Sequence, residues 1–215
     1  MPASEIALPL RIGTRTLFTL RRRLVRHGVS LADALSGRAI VLPSLAEDDE
    51  GYRINALPVH AVPALLAAHP GLKPFVRQRY VRRYARLDQD FDAYLTGFSA
   101  KSRSTAKRKL KRFAERAGGA IDVRCYRTEA EIISFYEAAR SVSAKTYQER
   151  DIDAGLPEGA EALAGMRSLA RADQARGWLL YSKDRPIAYL WAPAEGDTLI
   201  YAYLGYDPAE AELSP

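Results

Sequence analysis

The sequence predicts an α+β fold, and three observations carry that prediction. Residues 177–208, GWLLYSKDRPIAYLWAPAEGDTLIYAYLGYDP, read as three antiparallel strands joined by two short turns. Before them, EAEIISFYEAARSVS (129–143) reads as a capped helix and a stretch within 157–177 as a second one with apolar residues turned inward. A further alternating run, AIDVRCY (120–126), precedes both helices. Helices thus lie between strands, and the closing meander must bury at least one face.

The elements follow in order. ALPLRI alternates around Leu8, Leu10 and Ile12, Gly13-Thr14 offers a turn, and RTLFTLRRRL makes a second strand, so residues 6–24 read as a strand pair. AIVLP (39–43) is expected as a short strand, the acidic LAEDDEGY as a solvated loop, and YRINALP (52–58) as a strand. VPALLAAH (62–69) is a short helix closed by Pro70-Gly71. VRQRYVRRYARL (76–87) fits strand by composition, while Val76, Tyr80, Tyr84 and Leu87 also fit a helix; strand is the reading adopted. Asp90 caps a helix over FDAYLTGF, and Ser99 or Ser102 caps a longer one to about Ala117. Ala106, Leu110, Phe113 and Ala117 form the apolar stripe of the longer helix, and Gly118-Gly119 ends it.

In AIDVRCY the residues Ile121, Val123 and Cys125 are expected to face inward. Thr128 caps the next helix, with Glu131 completing a capping box. SAKTYQERDIDAGLP is a polar loop or broken helix, and the helix after it turns Leu163, Met166, Leu169 and Ala170 inward. In the last strand, Tyr201 and Tyr203 are expected on one face by period two. The organisation predicted is an N-terminal α+β region, 1–89, followed by a second domain, 90–215.

Composition sets the outer limits. With 215 residues, the chain suits one large domain or a domain with a smaller companion. At 47% hydrophobic and 27% charged it is an ordinary globular composition, which excludes disorder, collagen and coiled coil as the main state. One cysteine, Cys125, excludes an intrachain disulfide and a cysteine-built zinc site. Three scattered histidines, His27, His60 and His69, suggest neither a triad nor a metal cluster. The uncharged run 54–72 is interrupted by Pro58, Pro63 and Pro70, so no transmembrane segment is expected. The N-terminal stretch lacks the basic region and apolar run of a secretory leader, and with one free thiol a reducing, cytoplasmic compartment is the expectation. No dinucleotide fingerprint or phosphate loop occurs.

The formal charge of +6 is concentrated. Residues 99–117 hold eight basic side chains, Lys101, Arg103, Lys107, Arg108, Lys109, Lys111, Arg112 and Arg116, against the single acid Glu115. Residues 1–98 sum to +5 and residues 118–215 to −6. A solvated helix usually mixes signs, so this one is expected to face an anion: nucleic acid, an anionic lipid surface or an acidic substrate. The acidic C-terminal half and the lack of aromatic platforms make nucleic acid the least favoured of the three.

Four ordered blocks carry a family resemblance: FDAYLTGFSAKSRSTAKRKLKRF, SAKTYQER, GWLLYSKDRPIAYLWAP and LIYAYLGYDPAEAELSP. Together they resemble the GNAT-superfamily N-acetyltransferase domain of the bacterial CelD/BioF type, related to the Fem peptidoglycan transferases, over about residues 90–215. The resemblance implies a mixed sheet splayed at its fourth strand, acetyl-CoA or another acyl-CoA as co-substrate, and no metal. It places the donor on the backbone of Leu204, Gly205 and Tyr206 and near Ser214. It leaves Tyr203 and Tyr206 as candidates to protonate the leaving thiolate, drawn from a pool that also holds Tyr189 and Tyr201. Lys101, Arg103, Lys145, Tyr147, Gln148 and Arg150 are the candidate acceptor-binding residues. Asp207, ahead of Pro208, is expected to shape a turn.

The family pattern continues beyond Ser214-Pro215 into a glycine and a helix. Roughly the last third of the usual domain is therefore expected to lie outside this chain, and the chain by itself is expected to be a poor enzyme. The implied reaction is acyl transfer to an amine of a small molecule, amino sugar or envelope-polysaccharide precursor. A non-catalytic anion-binding module built on the basic helix, and Fem-like aminoacyl transfer from tRNA, stay open as alternatives. Oligomeric state is not legible.

Overall fold

The computed structural model describes residues 3–12, 15–146 and 155–213. The chain divides into two compact units, Met1–Tyr84 and Ala85–Pro215. The fold is α+β in both.

In the first unit β1 (Ala3–Ile12) and β2 (Arg15–Gly28) form an antiparallel pair, and β3 (Tyr52–Asn55) joins β2 in parallel. The expected Gly13-Thr14 turn lies outside the described residues. A short helix α1 (Leu31–Ser36) starts at Ser30, whose hydroxyl accepts the Asp33 N–H, and ends at Gly37 in the left-handed region. α2 (Val62–Ala68) is the expected short helix, and Pro63 sits in its first turn. Two expected strands do not form. Residues 39–43 and 76–87 carry no regular secondary structure. Propensity alone cannot make a strand without a partner edge and a face to bury. Val76, Tyr80, Val81, Tyr84 and Leu87 are all solvent-exposed.

The second unit opens with α3 (Phe91–Thr96) and α4 (Ala100–Arg116). Asp90 accepts the Ala93 N–H at 2.7 Å, and Ser99, rather than Ser102, caps α4. Gly118 and Gly119 follow α4 with φ of +102° and +103°, where a β-carbon is strained. Of the apolar stripe on α4 only Phe113 is fully buried, and Leu110 is exposed.

The sheet of this unit runs β4 (Asp122–Tyr126), β5 (Gly177–Ser182), β6 (Arg185–Trp191) and β9 (Tyr203–Tyr206), each pair antiparallel. β5 and β6 meet in a two-residue turn, Lys183-Asp184, with both residues at positive φ, the twist that suits a tight hairpin. The last strand is not continuous. Thr198–Leu199 (β8) instead pairs with Ala194–Glu195 (β7) in a separate ribbon turned by Gly196. Tyr201 consequently sits ahead of β9 and is 66% exposed, whereas Tyr203 packs against the core, so the two do not share an environment.

Helix α5 (Glu129–Ser143) covers one face of the sheet, and α6 (Ala160–Arg171) packs against α5. The capping box at Thr128 and Glu131 forms. Ile132, Phe135, Tyr136, Ala139 and Val142 line the buried side of α5 against Leu179, Tyr189 and Trp191. Met166 and Ala170 are buried on α6, with Leu163 and Leu169 packed beside them. Residues opposite one another in an antiparallel ladder share a face. Leu179 pairs with Arg124 and Gly177 with Tyr126, so the helix-covered side of β4 carries Arg124 and Tyr126. Val123 and Cys125 therefore face away, Val123 at 53% exposure, and Ile121 just ahead of β4 is exposed as well. The inward placement expected for them is corrected by a parity that β5 imposes.

α5 and α6 are tied by Glu129, which accepts hydrogen bonds from Arg167 and Arg171. Those two guanidinium groups hold its carboxyl at about 2, below its ordinary 4.5. A carboxyl depressed in the folded state stabilises fully above its unfolded value and loses that contribution as pH falls through the folded one. Thermal midpoints recorded from about pH 5 down to about pH 2 are expected to fall less steeply in Glu129→Gln than in the parent chain.

Candidate functional site

β9 is an edge strand, and its ladder with β6 decides which backbone groups are spent. Asp207 N–H donates to Ile187 O at 2.7 Å, and Gly205 lies opposite Tyr189 two residues earlier. In an antiparallel ladder such directly bonded pairs alternate with pairs whose N–H and C=O groups point the other way. Tyr203, Gly205 and Asp207 therefore point their backbone groups toward β6. Leu204 and Tyr206 point theirs outward, to an edge that no strand covers among the described residues. This gives two donors and two acceptors in a row, spaced as a strand's are.

The side chains alternate with the same period. Leu204 (43% exposed) and Tyr206 (36%) lie on the sheet face opposite α5. Tyr203 and Gly205 face α5. A β-carbon on Gly205 would come to 2.7 Å from the Tyr189 ring and 2.8 Å from the Thr146 methyl group, so only glycine fits. Both neighbours are buried, and both are tied to Ser143: Tyr189 donates its hydroxyl proton to Ser143 Oγ at 3.1 Å, and Thr146 donates to Ser143 O at 2.8 Å. Ser143 Oγ in turn accepts the Leu156 N–H. The end of α5 is thus seated directly on β9.

At the C-terminal end of β9 the chain enters a 3₁₀ turn, Pro208–Leu213. Asp207 is only 4% exposed there and joins three elements. Lys145 Nζ, just past α5, and Arg185, at the start of β6, each donate to its carboxylate at 3.0 Å, and Ala209 N–H donates at 3.1 Å. Arg185 also pairs with Glu210. Burial works to raise the Asp207 carboxyl, but the Lys145 hydrogen bond, the Ala209 N–H and the charges of Lys145 and Arg185 outweigh it, and its pKa lies below the ordinary value. Asp207 does shape the turn, through Ala209, yet its larger role is to lock the junction after β9. No local sequence pattern points to Lys145 and Arg185 as its partners.

The residues expected at the site divide as follows. Leu204, Gly205 and Tyr206 fall together on β9, with Tyr203 beside them. Lys145 is engaged by Asp207. Lys101 is exposed near the start of α4. Arg103 turns back to donate to Phe98 O at 2.6 Å and Thr96 O at 3.3 Å, bracing the α3–α4 connection. Tyr147, Gln148, Arg150 and Ser214 lie outside the described residues. Among the described residues no three His, Cys, Asp or Glu side chains group as a metal would need, and no helix is long and apolar enough to cross a membrane.

A family model described as an acetyltransferase (GNAT) domain matches residues 100–215, more than half of the chain. No curated protein matches the sequence. The match covers α4, the whole four-stranded sheet, and helices α5 and α6.

Gly205→Ala tests the seating of α5 on β9. It is expected to cost about 1–3 kcal/mol, the usual range for overpacking a filled site, read as a lower urea midpoint. An unchanged midpoint would show that Tyr189 and Thr146 can yield.

Proposed function

The chain belongs to the GNAT acetyltransferase family, and we propose that it transfers an acyl group from acetyl-CoA, or another acyl-CoA, to an amine of a small molecule, amino sugar or envelope-polysaccharide precursor. The observation that carries the reading is the outward backbone of Leu204 and Tyr206. A pantetheine arm bears two amides and can be held as a strand would be, by main-chain hydrogen bonds along an open edge. The donor set on β9 fits that group.

When bound, acyl-CoA supplies an activated thioester. The residues of this chain bind, orient and polarise. The Leu204 and Tyr206 N–H groups are the donors available to amide or thioester carbonyls along β9, and an oriented N–H is most effective where negative charge develops. Gly205 keeps β9 pressed against α5, which fixes the direction of those donors. The Asp207 junction holds the end of the strand in place. Of the two tyrosines considered as proton donors, Tyr206 is the half-exposed one on the open face, while Tyr203 packs on the core. Tyr206 is therefore the better placed of the two to meet a leaving thiolate.

Leu204→Pro separates this reading from a merely structural one. Proline removes the outward N–H of residue 204 and leaves the ladder to β6 intact, a substitution edge strands tolerate. Titration with acetyl-CoA is expected to show binding weakened at least about tenfold, the effect of losing one well-placed hydrogen bond, with a near-parental thermal midpoint. Equal affinity in the two proteins would overturn the proposal.

A further inference from the structure

The cations of α4 are not distributed evenly around it. At the helical period, Lys101, Arg108, Lys109, Arg112 and Arg116 fall within roughly 100° of arc on one flank of the buried Phe113. From Arg108 to Arg116 that flank forms one wall of a groove. Two hollows of about 460 and 380 Å³ share Glu212 and Leu213. The first is bounded by Arg116, Lys183, Arg185 and Glu210, and the second by Arg108, Lys109 and Arg112. Phe113 meets Leu213, Leu180 and Ile187 in the small core between α4 and the sheet.

The charges in the groove do not cancel. Arg116 is paired with Glu212 at 3.4 Å and Arg185 with Glu210. Arg108, Lys109, Arg112 and Lys183 have no ion-pair partner among the described residues. On α4 outside this flank, Lys107 is paired with Asp92 and Lys111 lies near Glu115, while Arg103 is spent on backbone carbonyls. Apart from Lys101, which lies a turn and more before the hollows, the unpaired charge of α4 is therefore gathered in one concave place.

We propose that this groove binds the phosphate group of a small ligand. The concavity has the size of a small-molecule site, and arginine forks match phosphate oxygens in pairs. A flat anionic bilayer or a continuous polyanion fits less well, because Glu210 and Glu212 line the same groove and would meet its charge. The phosphate has two possible sources, the nucleotide end of the acyl donor or a phosphorylated acceptor. The inference rests on the groove alone and does not require the acyl-transfer reading.

Calorimetric titration of the whole chain with inorganic pyrophosphate is expected to show saturable binding that weakens as salt rises. Arg112→Ala is expected to weaken it about tenfold or more, while Lys111→Ala, outside that flank and lining neither hollow, leaves it unchanged. Both side chains are exposed, and circular dichroism melts confirm that the variants fold. Coenzyme A binding more tightly than dephospho-coenzyme A, with the difference erased by Arg112→Ala, assigns the groove to the donor. Binding of glucosamine phosphate that depends on Arg112, without that difference, assigns it to the acceptor. Equal losses in Arg112→Ala and Lys111→Ala overturn the proposal. So does a lack of saturable binding to all these phosphates, or a preference for duplex DNA or anionic vesicles over pyrophosphate.

Discussion

The ladder between β6 and β9 is the constraint on which the rest of the second unit depends. Its register decides that Gly205 faces Tyr189 and Thr146, that Tyr203 joins the core, and that Leu204 and Tyr206 present their backbone groups outward. A slip of one residue would exchange all of these at once, burying the leucine and exposing the glycine. The register is held at both ends. Asp207 closes one end through Ile187, Lys145 and Arg185, and Ala202 N–H donates to Trp191 O at the other.

The helix α5 translates that register into a rigid support. It presses directly on the sheet at Gly177, and the segment just past its end, with Tyr189 of β6, closes on Gly205. A β-carbon on Gly177 would lie 2.8 Å from the Phe135 ring, and one on Gly205 would strike the Tyr189 and Thr146 side chains. Large aromatic groups fill the space that glycine leaves, and Phe135 is fully buried as a result. Binding groups on β9 are thus carried by a packed layer, which is what precise orientation of a ligand requires. The covered face belongs to stability, and the open edge is where the acyl donor is proposed to bind.

Much of this was legible in the sequence wherever local chemistry decides the outcome. The caps at Asp90, Ser99 and Thr128, the glycine stop after α4 and the inward stripe of α6 all follow from residues within a turn or two. The expectations that failed needed distant information. Residues 39–43 and 76–87 have strand composition and no strand partner. Cys125 and Val123 alternate correctly, but period two defines two faces without saying which one the helices cover. The closing strand breaks because residues 198–199 find their own partner in 194–195. The family resemblance pointed to Leu204, Gly205 and Tyr206, and the structure puts all three on β9. The partnership of Lys145 and Arg185 with Asp207 spans 62 and 22 residues of sequence and had no local signature. The basic helix was conspicuous from composition, yet the gathering of its unpaired charges on one flank depends on where Phe113 anchors it.

The most direct measurement of the central claim is amide hydrogen exchange at β9, read by nuclear magnetic resonance with and without acetyl-CoA. The amides of Leu204 and Tyr206 point outward and are expected to gain protection on binding, whereas the Gly205 amide, already bonded to β6, changes little. Protection that appears elsewhere, with Leu204 and Tyr206 exchanging as before, would contradict the account.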